Sequence, residues 1–316
     1  MKLPVLVERY IAYKRSLGKK FDTYARALRL FVRTIGKSNH RRISPDKVLA
    51  FLNGSGPLTQ YWHHKASALR GLQRFARERG FPFHCPLPAF EPKKPERMKP
   101  YIYAPEEIRR ILAAVAHMRM KLAYELEPFT LHAVLLTLYG AALRIGEAIS
   151  LTVADVDLDQ RILTIRDTKF FKTRLVPIGP KLAQVLTAYA VKRKPWAKSS
   201  STTEPFFVGR RSGRRLSHPT VECWFRRICN QAGVRREADA RYQPRLHDLR
   251  HSAAVHRLLA WYRRGADLST RLHHLSVYLG HRHLQDTQVY LTLTPELLAA
   301  ANRRFHRYAF SEDSHV

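Results

Sequence analysis

Tyr290 follows His281 by nine residues, and both come after His247-Asp248-Leu249-Arg250, where an imidazole and a guanidinium are three residues apart. Arg144 and Lys169 lie further upstream. A phenol, imidazoles, guanidiniums and an ammonium form a set suited to attacking a phosphodiester with a tyrosine and no metal. A phenol with a pKa of about 10 is ionised in only about one molecule in a thousand at pH 7, a deficit of roughly 4 kcal/mol. A base or nearby positive charge must meet that deficit, and His247 is the candidate base. The attack builds negative charge on non-bridging oxygens, which the planar, permanently protonated forks of Arg144 and Arg250 suit better than an ammonium does. For the same reason an arginine cannot release a proton to the leaving oxygen, so the acid must be another residue. Lys169 fits that task. On a helix, His247 and Arg250 would stand roughly 5–6 Å apart on one face, able to address one phosphate. How Tyr290 reaches them is a tertiary matter that spacing does not give.

The elements that must position these residues are mostly helical. In 21–36, Tyr24, Leu28, Phe31 and Ile35 recur at 3.6-residue spacing opposite Arg26, Arg29 and Arg33, and Gly36 ends the run. In 58–80, Leu69, Leu72, Phe75 and Ala76 oppose Arg70, Arg74 and Arg77, with Gly80 as the stop. With helices expected at 3–17 and 44–52, this makes a four-helix unit. Residues 1–100 hold 22 Lys and Arg against 6 Asp and Glu, so the two arginine stripes read as a DNA clamp. Five prolines between Pro86 and Pro100, mixed with Lys93, Lys94, Arg97 and Lys99, mark a stiff basic linker at 91–102. The expected domains are therefore 1–90, the linker, and 103–316.

Beyond the linker, Ala104-Pro105-Glu106-Glu107 opens a helix, with proline early and acids at the positive end of its dipole. A helix is expected over 129–149, its first part apolar enough to be buried, carrying Arg144. The period then changes to two: 161–166 and 174–178 read as strands joined by a tight turn at 168–173, with Lys169 and Lys172 at its tip. From Lys181 onward the pattern is again mostly helical, and Thr294-Pro295-Glu296 starts a last helix with Leu297, Leu298, Ala301 and Phe305 on its apolar face.

Over the whole chain of 316 residues, 56 Lys and Arg against 25 Asp and Glu leave a formal charge of +31. Such a surplus repels itself and is tolerable where a polyanion supplies counter-charge, DNA or RNA being the commonest. The most apolar stretch, 129–143, is too short to span a bilayer and holds His132 and Gly140, so no membrane partner is expected. Nothing at the N-terminus reads as a secretory segment. Three cysteines, Cys85, Cys223 and Cys229, are an odd and sparse set, expected to be reduced and, for the last two, buried thiols. The location these features suggest is cytoplasmic, on the nucleoid.

The ordered matches Ala142-Leu143-Arg144-Ile145-Gly146-Glu147, the Lys169 hairpin ending in Arg174-Leu175-Val176-Pro177, His247-Asp248-Leu249-Arg250-His251, Leu279-Gly280-His281 and Thr287-Gln288-Val289-Tyr290 resemble the phage-integrase family of tyrosine recombinases. The resemblance spans about 104–292, and the N-terminal unit is similar to the family's core-binding domain in size and pattern only. It implies a mainly α protein with a small antiparallel β-sheet: a helical core-binding domain and an α+β catalytic domain. It also implies catalytic roles for Arg144, Lys169, His247, Arg250, His281 and Tyr290. Tyr290 would form a 3′-phosphotyrosine, His281 would hydrogen-bond the phosphate, and Lys169 would protonate the departing 5′ oxygen; Lys172 is its rival. No metal, ATP or other cofactor is expected. The partners implied are double-stranded DNA and further copies of the chain, a tetramer at synapsis, with the last helix docking on a neighbour or on its own domain.

Other chemistries fit less well. A two-metal nuclease needs clustered carboxylates, and acids here are scarce and scattered. His247 and His251 have the i, i+4 spacing of zinc helices, but the glutamate of His-Glu-x-x-His is missing and Arg250 adds positive charge beside any cation. A type IB topoisomerase would use the same residues without exchanging strands between protomers. An inactive DNA-binding relative would have lost a catalytic position, and none is replaced. Taken alone, Arg144 would cap its helix or pair with Glu147, and Tyr290 would be a packed aromatic.

Overall fold

The computed structural model describes the chain apart from residues 1, 37–42, 97, 119–123, 167–172, 198–200, 241, 293–298, 300–301 and 303–316. It forms two compact units, Met1–Met98 and Lys99–Val316. The first is built from α1 (Leu3–Ser16), α2 (Asp22–Ile35), α3 (Pro45–Asn53) and α4 (Gln60–Glu78). Leu28, Phe31 and Ile35 of α2 and Leu69, Leu72 and Phe75 of α4 are buried in one cluster with Leu6, Tyr10 and Ile11 of α1. The arginines of both stripes are exposed, as the 3.6-residue spacing requires. Side chains end the helices where the spacing does not. Ser44 Oγ accepts from Asp46 N and Thr59 Oγ1 from Tyr61 N, caps worth about 1 kcal/mol each. Lys65 is buried, with Nζ donating to Phe51 O at 2.6 Å over the Phe51 and Tyr61 rings, which satisfies a carbonyl in the last turn of α3.

The second unit runs α5 (Pro105–Ala116), α6 (Pro128–Gly140), α7 (Ile145–Ser150), β1 (Val156–Asp157), β2 (Ile162–Ile165), β3 (Arg174–Pro177), α8 (Pro180–Lys192), α9 (His218–Gln231), α10 (Asp248–Arg263), α11 (Leu268–Leu279) and α12 (Gln285–Thr292). The fold is mainly α with a small antiparallel sheet. That sheet has three strands in the order β1-β2-β3, one more than the expected hairpin, because Val156 and Asp157 pair with Leu163 and Ile162. Two residues carry too little alternation to read as a strand. In the hairpin Leu163 pairs with Val176 and Ile165 with Arg174. Leu163, Ile165 and Val176 face the core while Leu175 is exposed. Alternation thus turns the Arg174 end of the hairpin toward the helices, and the turn carrying Lys169 and Lys172 lies outside the described residues.

Helix α6 is buried along Leu131, Val134, Leu135 and Leu138, in a core shared with α5, α8 and α9. A second core joins Val255, Leu258 and Leu259 of α10, Leu272, Leu275 and Leu279 of α11, and Tyr290 of α12. The region 201–217 is irregular rather than helical, tied back by Val153 N to Glu204 O at 2.9 Å and Phe206 N to Leu151 O at 2.8 Å. Cys229 is buried in α9 but Cys223 is exposed, against expectation; six positions apart, the two cannot share one face of a 3.6-residue helix. Among the described residues, no helix is long and apolar enough to cross a membrane.

Candidate active site

The expected helix over 129–149 is broken. After Gly140 ends α6, Ala142 takes φ +50°, a left-handed conformation uncommon for a side chain with a Cβ, and Arg144 becomes the N-cap of α7 with extended backbone. Arg144 therefore projects from a helix start rather than from a helix face. The carbonyl turned out by the break is not wasted. Arg250, only 2% exposed near the start of α10, donates Nη1 to Ala142 O at 2.7 Å and Nη2 to Leu279 O. One guanidinium thus fastens the α6–α7 break to the end of α11. Burial pulls its pKa down, to about 10, with the neighbouring Arg144 charge adding to the effect, so it still carries its proton at neutral pH.

Glu147 collects the arginines. Its carboxylate accepts from the Arg144 backbone N–H at 3.0 Å and from Arg144 Nη1 at 2.8 Å. Arg174 of β3 donates both Nη1 and Nη2 to it, at 3.1 and 2.8 Å, and Arg250 Nη1 stands 3.6 Å away. The pairing of Arg144 with Glu147 and its place in the site therefore coexist, because Arg144 keeps a side-chain exposure of 40% while Glu147 keeps 10%. Arg174 Nε also donates to Tyr278 O at 3.1 Å, tying the hairpin to α11. Gly280 closes α11 at φ +66°, ψ +43°, and a Cβ there would come within 2.8 Å of Arg174 Nη1. Both the left-handed turn and the close guanidinium demand glycine. At that turn Arg144 Nη2 donates to Gly280 O at 3.5 Å, and His281 follows next in the chain.

Tyr290, buried in α12, completes the group within a single chain. Its hydroxyl lies 2.9 Å from His251 Nδ1. The His281 ring stacks beside it, centroids 6.2 Å apart and planes at 24°, with His281 Nδ1 engaged by Thr287 Oγ1 at 2.8 Å. His247 packs edge-on against His251, centroids 4.7 Å apart. Burial raises the Tyr290 pKa, opposed by the charges of Arg250 and Arg144, so the resting phenol is protonated. Burial lowers His247, His251 and His281 to about 4 each, Arg250 adding to all three, so the imidazoles are neutral at pH 7. The site thus sets a neutral phenol and neutral imidazoles beside a cluster of guanidiniums.

Of the expected catalytic residues, the fold brings together Arg144, His247, Arg250, His281 and Tyr290. His247 precedes the first turn of α10 as its N-cap, and Arg250 lies in that turn. Lys169 and Lys172, and the tail residues Leu297, Leu298, Ala301 and Phe305, lie outside the described residues. Three site members were not anticipated: Glu147, Arg174 and His251. The i, i+3 spacing pointed to Glu147, but its grip on Arg174 and its closeness to Arg250 are tertiary. His251 stands beside Arg250 in the motif, where its i, i+4 spacing from His247 suggests a metal ligand rather than a partner for Tyr290. Among the described residues, no three His, Cys, Asp or Glu side chains gather as a metal site would. In the N-terminal unit Arg29 is held by Glu8 through two bonds of 2.8 Å and Arg70 by Glu91, so these two guanidiniums are partly neutralised. Arg26, Arg33, Arg74 and Arg77 are exposed, and Arg70, Arg74 and Arg77 line one groove with Phe81 and His84.

Residues 103–296 match the phage integrase family. The Sinorhizobium fredii protein y4rB, named as an integrase/recombinase, is 35% identical over 95% of this chain and 96% of its own. The tyrosine recombinase XerD of Mycobacterium tuberculosis is 32% identical over 73% of this chain and 69% of its own. Among solved structures, the lambda integrase tetramer bound to a Holliday junction shares the fold with a TM-score of 0.65 at 16% identity, covering 92% of this chain and 77% of that one. The chain belongs to the phage integrase family, and it is a tyrosine recombinase, a DNA breaking-and-rejoining enzyme.

Proposed function

We propose that Tyr290 attacks a DNA phosphodiester held by Arg144 and Arg250, displaces the 5′ oxygen and stores the bond as a 3′-phosphotyrosine until another 5′ hydroxyl reverses the step. The observation that carries this reading is the Tyr290 hydroxyl, 2.9 Å from the neutral His251 imidazole, with the charges of Arg250 and Arg144 opposing the rise in pKa that burial causes, all in one protomer. Non-bridging oxygens would take the outward-facing N–H groups of Arg144 and those of Arg250 that its two carbonyl bonds leave over. His281, with Nδ1 committed to Thr287, would offer Nε2–H to the same phosphate. His247, one turn from Arg250, would bind beside it. Lys169 is proposed as the acid for the 5′ oxygen, with Lys172 as the alternative. No step calls for a metal or ATP, since cleavage and rejoining conserve the phosphodiester energy.

Double-stranded DNA is the proposed partner, with Arg26, Arg33, Arg74 and Arg77 gripping phosphates from the N-terminal unit more than Arg29 and Arg70 do. Strand exchange needs two duplexes and hence several protomers, so we assign a tetramer at synapsis, with the C-terminal helix as the connection between copies. A relaxing enzyme that acts as a monomer is disfavoured, because the relatives are named as recombinases and integrases. The test is covalent trapping on a nicked suicide duplex. Tyr290→Phe should form no adduct while retaining salt-sensitive duplex binding; an adduct with the phenylalanine variant would remove Tyr290 as nucleophile.

A further inference from the structure

We infer that His251, an imidazole outside the Arg-Lys-His-Arg-His-Tyr set, is the group that takes the phenolic proton of Tyr290. The inference rests on the reading of Tyr290 as nucleophile. It concerns which of the three nearby imidazoles is the base, and geometry separates them. His251 Nδ1 is 2.9 Å from the Tyr290 hydroxyl, within the reach a general base needs. His281 stacks on the phenol at 24° and spends Nδ1 on Thr287 Oγ1, so its ring lies alongside the hydroxyl carrier rather than pointing a lone pair at it. His247 meets the edge of His251 at an interplanar angle of 87°, where it supports that ring's orientation.

The placement follows from local structure. His247 is the N-cap of α10 and His251 lies one turn into it, so the two rings are neighbours. Arg250, between them in sequence, donates to Ala142 O and Leu279 O and also lies against the Tyr290 hydroxyl, where it can donate but, unlike His251, cannot accept a proton. His251 faces α12, where Tyr290 shares a buried cluster with Leu258, Leu275 and Leu279. A buried hydroxyl needs a partner, and His251 supplies an acceptor rather than a donor when Nε2 carries its proton.

The step balances. As Tyr290 Oη bonds to phosphorus, its O–H bond breaks and the proton passes to His251 Nδ1, leaving an imidazolium. The P–O5′ bond breaks and the 5′ oxygen takes a proton from the general acid. Rejoining returns the first proton from His251 to the departing phenolate. A bound scissile phosphate brings negative charge next to an imidazole otherwise crowded by Arg250 and Arg245, with Asp248 as the nearby carboxylate. Substrate docking therefore helps His251 to hold the proton as the bond forms.

Single-turnover cleavage of a nicked suicide duplex tests this with the full-length protein. His251→Ala should slow cleavage by about a hundredfold or more, with duplex binding kept. His251→Gln, which can accept the phenol's hydrogen bond but not its proton, should be as slow. Added imidazole should raise the alanine variant's rate at least tenfold, and a fluorinated tyrosine at 290, with a more acidic phenol, should recover more rate in His251→Ala than it adds to the wild type. Cleavage by His251→Ala or His251→Gln within about threefold of wild type would overturn the inference, as would no gain from either imidazole or fluorotyrosine. These outcomes are separate from the nucleophile assignment, which fails only if Tyr290→Phe still forms the adduct.

Discussion

Replacing Glu147 by Gln keeps the shape of the residue and removes the one negative charge shared by Arg144, Arg174 and Arg250. Burial pushes the carboxyl pKa up, but the hydrogen bonds and charge of Arg174, the Arg144 backbone N–H and the Arg250 charge more than offset it, holding the group at about 2 instead of 4.5. At 1.36 kcal/mol per pKa unit that drop corresponds to about 3 kcal/mol of folded-state stability. The side chain is 10% exposed, so solvent screening removes little of it. For a unit of this size, about 3 kcal/mol lowers the thermal midpoint by about 6–12 °C. Because the folded pKa is depressed, the contribution is complete above pH 4.5 and fades as pH falls toward 2. Calorimetry of Glu147→Gln against wild type at pH 7.5 measures the difference. Saturating duplex DNA should narrow it, since a phosphate then supplies an anion to Arg144 and Arg250. A midpoint within about 1 °C of wild type would refute this, showing that the carboxylate does not hold the guanidiniums together.

The three site imidazoles give a second handle on pH, with the same sign in a higher window. Each is held near 4, against 6.5 when unperturbed, so as pH falls the unfolded chain takes up protons first. Stability should be full above pH 6.5 and decline toward pH 4, by up to about 1.4 kcal/mol per pH unit for each imidazole; a flat thermal midpoint from pH 7 to 4.5 would contradict this. Lys169→Ala should lose cleavage of an ordinary duplex yet cut one with a 5′-phosphorothiolate leaving group, which needs no proton; equal failure on both would move the acid elsewhere, with Lys172 next. In the N-terminal unit, Arg33→Ala or Arg74→Ala should each reduce the slope of log affinity against log salt by about 0.9, while Arg29→Ala, already held by Glu8, should change it less. An unchanged slope for Arg33 and Arg74 would take the clamp away from these stripes.

The parts legible in the sequence are those governed by local periodicity and motif order. The 3.6-residue spacing in α2 and α4 placed the buried and exposed faces, and alternation found β2 and β3. Arg144 stands at the start of α7 rather than on the face of one long helix, because the break at Ala142 is stabilised by a carbonyl bond from Arg250, 108 residues away. The same long range hid the meeting of Arg174 with Glu147 and of His251 with Tyr290. Spacing put His247 and His251 on one helix but could not say which would face α12, since that depends on how α10, α11 and α12 pack around Leu258, Leu275 and Leu279. The two-residue strand β1 had no pattern to read.

The account stands on a phosphotyrosine at one position. Digestion of the trapped protein–DNA adduct, followed by mass spectrometry, should find the nucleotide remnant, linked through its 3′ phosphate, on the peptide that carries Tyr290. A remnant on Tyr278, Tyr139 or any other residue, or one linked through a 5′ phosphate, would contradict it.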